Sequence, residues 1–119
     1  MAAPPAQTDF PPILFLTSEI HPLMKTGGLG EVSGALPPAL QGLGADLRVL
    51  LPGYPLVLEA LPGLKPLLRF TDLGSFPDCS LLEGTLPGGV PLWVIDCPEL
   101  YAREGGPYAD RSGLDWPDN

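Results

Sequence analysis

Apolar positions along this chain come in short blocks, and prolines and glycines mark the boundaries between them. Ile13-Leu14-Phe15-Leu16-Thr17 is a continuous apolar run closed by polar residues, and it predicts a buried parallel strand. From Leu29 the period changes. Leu29, Val32, Leu36, Leu40 and Leu43 recur at three- and four-residue spacing, which predicts a helix with one apolar stripe. Pro37 and Pro38 lie inside that stretch and predict a bend or local break, because each lacks an N–H and crowds the carbonyl four residues back. Gly42 and Gly44 suit the helix end. Leu47, Val49, Leu50 and Leu51 then form a second strand, ended by Pro52-Gly53-Tyr54-Pro55. Strand, glycine-rich turn, helix and strand make a βαβ unit with a right-handed crossover.

Weaker signals follow. Val57 to Leu61 reads as one or two helical turns, broken over Pro62 to Pro66, and Leu67 to Leu73 as a strand. Ser80 to Leu86, Pro87-Gly88-Gly89 and Val90 to Asp96 read as a hairpin centred on Gly88. Pro91 places the start of its strand at an edge or a bulge. After Cys97 the chain turns polar and rich in Gly and Pro. It closes on Asp118-Asn119, two helix-capping residue types with no helix after them, which reads as an interruption.

Length and composition narrow the class. With 119 residues, 45% of them hydrophobic, the chain is about one ordered domain. Residues 1–12 are Ala/Pro-rich and are expected to form a loose tail, leaving 13–119 as the folded part. The formal charge of −8 argues against nucleic acid or an anionic membrane as partner. No apolar run reaches the roughly 18 residues that span a bilayer. The first 24 residues hold no Lys or Arg, so neither a secretory signal nor a transit peptide is expected. Cys79 and Cys97 lie symmetrically about Gly88 and could face each other, but two thiols in a reducing cytosol are the expected state. His21 is the only histidine and has no cysteine nearby, so no metal site is expected.

The candidate chemistry sits in Lys25-Thr26-Gly27-Gly28-Leu29-Gly30-Glu31-Val32. Glycines permit positive φ and close approach of another group. The first N–H groups of a helix lack internal partners and carry partial positive charge, which suits a phosphate. Lys25 adds a full charge and is the only Lys or Arg in the first 47 residues. The loop lies beyond the carboxyl end of the first strand, where open α/β sheets bind ligands. It is not a Walker A loop, since the lysine precedes the glycines. Gly28-Leu29-Gly30-Glu31-Val32-Ser33 approximates a dinucleotide fingerprint. However, seven residues, Ser18 to Met24, lie between Thr17 at the strand end and Lys25, and Pro52 stands where the ribose-binding acid belongs.

Thr17-Ser18-Glu19-Ile20-His21-Pro22-Leu23-Met24-Lys25-Thr26-Gly27-Gly28-Leu29-Gly30-Glu31-Val32 closely resembles the N-terminal signature of bacterial glycogen synthases and plant starch synthases. The resemblance continues through Ala35-Leu36-Pro37, Val49-Leu50-Leu51-Pro52 and Tyr54, and resumes at Leu100-Tyr101, Arg103, Tyr108 and Asp115-Trp116-Pro117-Asp118-Asn119. Over residues 55 to 90 only the general pattern matches. The resemblance implies an α/β fold: the N-terminal part of a Rossmann-like domain in a two-domain, GT-B type glycosyltransferase, with a β-hairpin insertion. It implies retaining transfer of glucose from ADP-glucose to the 4-OH at the non-reducing end of an α-1,4-glucan, in the cytoplasm. Lys25 is then the ADP-glucose-binding residue, with the backbone of Gly27 and Gly28 near the diphosphate. No cofactor is implied, and the aimed N–H groups and Lys25 make a metal unnecessary for leaving-group stabilisation. The family usually has Asp where this chain has Glu31, so Glu31 is either a positioned catalytic carboxylate or simply an acid in the first helical turn. Tyr108 and Asp115 either line the cleft or lie on the surface.

Members of this family are several times longer. The resemblance therefore implies an N-terminal fragment without the second domain, silent in catalysis by itself. Two other readings stand beside it: an NAD-type dinucleotide domain, and a non-catalytic interaction module whose glycines are structural. A Lys25 ammonium turned from the sheet's ligand rim, or taken up by a local carboxylate, would count against the donor-binding reading.

Overall fold

A computed structural model describes residues 10–119; the expected tail at 1–12 lies largely outside them. The elements are β1 (Ile13–Leu16), α1 (Gly28–Gly42), β2 (Leu47–Pro52), α2 (Pro55–Ala60), β3 (Lys65–Phe70), β4 (Cys79–Thr85), β5 (Pro91–Asp96) and α3 (Pro98–Tyr101). They form one five-stranded sheet in the order β1-β2-β5-β4-β3. β1, β2 and β5 run parallel, with Phe15 opposite Val49 and Val49 opposite Leu92. β4 and β3 extend the sheet antiparallel, with an irregularity in β3 between Pro66 and Leu68.

The expected hairpin is present, and its register, Ser80 opposite Asp96 and Thr85 opposite Pro91, is centred on Gly88. It does not hang off the sheet, because β5 lies at the centre, between β2 and β4. Pro91 accordingly marks neither an edge nor a bulge. It is the first residue of its strand, a position where the missing N–H is tolerated. Both cysteines are free.

Alternation in β2 and β5 fixes the core. Leu47, Val49, Leu51, Leu92 and Val94 are at most 3% exposed and share one face of the sheet. They pack with Ile20, Leu23, Tyr54, Val57, Leu86 and Val90. Two expectations fail here. β1 is not fully buried: it ends the sheet among the described residues, and Leu14 and Leu16 point away from the core. Most of the stripe on α1 also faces outward: Leu29, Val32, Leu36 and Leu43 are exposed, while Leu40 packs against the core. The buried face of α1 is instead Gly30, Ser33 and Pro37. Small residues win because they let the helix backbone approach the strand end: Ser33 Oγ lies 2.8 Å from Thr17 Oγ1. Pro37 and Pro38 do not break the helix, which runs from Gly28 to Gly42. Among the described residues no helix is long and apolar enough to cross a membrane.

Candidate functional site

The chain from Thr17 to Gly30 folds back on itself beyond the carboxyl end of β1. Ile20 and Met24 pair as an isolated antiparallel bridge, and His21 N–H donates to the Gly30 carbonyl at 2.9 Å. This closes the seven-residue loop and brings Glu19 under the start of α1. Glu19 is only 2% exposed. Its Oε1 accepts from the N–H groups of Thr26 (3.0 Å), Gly27 (3.1 Å) and Gly30 (3.1 Å). Its Oε2 accepts from the Thr26 hydroxyl and the Tyr108 hydroxyl, each at 2.6 Å. Ser18 Oγ lies 2.7 Å from the Tyr108 oxygen, and it is the donor there, because the phenol proton is given to Glu19.

This arrangement corrects the sequence reading at its centre. The sequence predicts that the amides at the head of α1 await an external anion. Those of Thr26, Gly27 and Gly30 already hold the chain's own carboxylate. The hydroxyl bond from Thr26, then that from Tyr108, holds Glu19 down at about 2, against the upward push of burial. The tyrosine is affected oppositely: burial, then the bond to Glu19, raises the Tyr108 phenol above its ordinary value.

The glycines divide by role. None of Gly27, Gly28 and Gly30 has positive φ, so backbone conformation does not require them. At Gly30 a Cβ would meet Lys25 Cγ at 2.8 Å and Glu19 Oε1 at 3.1 Å, so glycine is needed there for packing. A Cβ at Gly27 or Gly28 would meet nothing within 4 Å. Neither dihedral strain nor crowding within the chain explains these two, and both border open space.

Lys25 and Glu31 stand at the exposed edge of the same loop. Their side chains form an ion pair, Nζ to Oε1 2.7 Å, with 39% and 65% of the side chains exposed. Lys25 lowers the Glu31 carboxyl below its ordinary value, first by hydrogen bonding and then by its charge. The lysine is therefore paired locally, as a reading against donor binding would have it. The pair is solvated and single, however, a class of contact that contributes little and exchanges readily. Tyr108 is brought to the loop through Glu19, whereas Asp115 is exposed and its backbone pairs with Ala109.

Segment 102–119 is held from the other side. Arg103 makes two 2.9 Å bonds to Asp118 and stacks over Trp116, and Asn119 Nδ2 donates to the Tyr108 carbonyl at 2.7 Å. A cleft of 390 Å³ opens beside Met24, walled by Tyr54, Tyr101, Arg103 and Trp116. Sequence reasoning missed Glu19 and Ser33. A signal existed for the former, the one acid between Thr17 and Lys25, but its partners lie 7 to 89 residues away.

Known proteins share this sequence. The starch synthase catalytic domain family matches residues 12–119. A glycogen synthase of Nitrosospira multiformis is 57% identical over 111 residues, covering 90% of this chain and 22% of the relative. Glycogen synthases of Paramagnetospirillum magneticum and Nitrosomonas europaea are 53% and 50% identical, over 90% and 100% of this chain. The chain thus spans about a quarter or less of the length of these curated relatives. With the loop, the parallel βαβ unit and nearly the whole described chain inside the match, this chain belongs to the starch synthase catalytic domain family.

Proposed function

We propose that this chain carries the donor-phosphate wall of a retaining glucosyltransferase that moves glucose from ADP-glucose to the 4-OH at the non-reducing end of an α-1,4-glucan. The observation that carries the reading is the placement of Lys25 beside two glycines, 27 and 28, that border open space. Cleavage of the sugar–phosphate bond leaves growing negative charge on the departing ADP. The Lys25 ammonium, at the dipole-positive start of α1, stabilises that charge as it develops. Glu19 keeps the loop in shape while this happens, so little reorganisation accompanies the step.

In this reading the parallel strands belong to the N-terminal Rossmann-like half of a two-domain GT-B enzyme, with β3 and β4 as its antiparallel extension. The facing wall, including the acid near the sugar, comes from a second domain of a longer polypeptide working in the cytoplasm. The relatives' greater length and their printed name, glycogen synthase, support this.

The test is incorporation of labelled glucose from ADP-glucose into glycogen by the full-length polypeptide. Lys25→Ala should lower turnover by about 100-fold with folding intact, as for loss of one charge-stabilising group. The 119 residues by themselves should give background only. Unchanged turnover in Lys25→Ala would remove the assignment.

A further inference from the structure

The Lys25–Glu31 pair has a geometry that bears on how the donor is admitted. Gly27 and Gly28 lie between the two residues in sequence, and the space over these glycines is open. An anion seated over them to reach Lys25 Nζ meets an ammonium that already has a carboxylate at 2.7 Å. Glu31 lies in the first turn of α1, so it also shares the positive end of the helix dipole with any incoming anion. The other acid of the loop, Glu19, cannot play this part, because it is buried and its oxygens are taken by five donors. Among the described residues, the other titratable group that acts on Glu31 is His21, whose charge is the smallest of the influences on it.

The geometry points to Glu31 as a built-in competitor for Lys25. It holds the ammonium until a diphosphate displaces it, and so sets the affinity and charge selectivity of the donor site. This rests on the donor-binding reading above. A multiply charged diphosphate out-competes one solvated carboxylate, whereas an uncharged nucleoside does not disturb the pair. Because both side chains are exposed, the competition weakens as salt screens it.

The experiment measures ADP and adenosine binding by calorimetry in the full-length protein, for wild type, Glu31→Gln, Lys25→Ala and the double variant. Glu31→Gln should bind ADP about 3- to 10-fold more tightly at low ionic strength, with the gain shrinking near 0.5 M salt. Adenosine binding should not change. In the Lys25→Ala background the gain from Glu31→Gln should fall below half, since the competitor acts through Lys25. Weaker or equal ADP binding by Glu31→Gln, with Lys25→Ala still impaired, overturns the competitor role alone and makes Glu31 an orienting group. Unaltered ADP binding by Lys25→Ala overturns the donor-binding reading beneath it.

Discussion

Glu19 shows how one side chain decides the state of a loop. Five donors converge on its carboxylate, and removing the charge leaves three N–H groups, that of Gly30 buried, without an adequate acceptor. Glu19→Gln should therefore destabilise the fold by about 1–3 kcal/mol, read from denaturant midpoints. The pH dependence has a definite sign. A carboxyl lowered to about 2 in the folded protein contributes stability that is fully present above its unfolded value near 4.5 and is lost as pH falls through 2. The difference in stability between wild type and Glu19→Gln should shrink as pH is taken from 5 towards 2. A constant difference would show that Glu19 is not ionised in the native loop. Tyr108→Phe keeps the ring and removes one donor, at a cost of about 1 kcal/mol in the same measurement.

At the scale of elements, α1 separates what the sequence made legible from what it hid. Period, boundaries and connection to β1 and β2 were readable, because a 3.6-residue recurrence between two apolar runs has few other solutions. The direction of the helix was not readable. Leu29, Val32 and Leu36 outline a stripe, yet Gly30, Ser33 and Pro37 face inward, since apolar size says nothing about how closely two backbones must approach. The same limit applied to the loop. Lys25 and the glycines stood out by type, while Glu19 acquired its role only when Tyr108, 89 residues later, closed onto it. β1 is the parallel strand its apolar run predicts, but an apolar run does not reveal whether its strand ends the sheet, so its half-exposure stays hidden. A direct test separates the glycines. Gly30→Ala, with a Cβ 2.8 Å from Lys25 Cγ, should cost about 1–3 kcal/mol of stability. Gly28→Ala, facing open space, should stay within about 0.5 kcal/mol of wild type while weakening ADP binding.

For the molecule as a whole, the sheet is covered unevenly. Leu14 and Leu16 on β1 and Leu29, Val32 and Leu36 on α1 are 40–67% exposed, and β1 ends the sheet among the described residues. Exposed apolar area beside a terminal strand favours association. The 119-residue chain should bind a hydrophobic dye and self-associate at micromolar concentration, and Leu16→Lys should reduce both; a monodisperse, dye-silent chain would contradict this. The Glu19–Tyr108 bond also has a consequence for biosynthesis. Tyr108 is translated 89 residues after the acid it clasps. At about 5–20 residues per second, the nascent glycine loop lacks its last donor for roughly 5–20 s after Glu19 is made. Until the phenol leaves the ribosome, the hydrogen-bonded frame around Glu19 is only partly assembled.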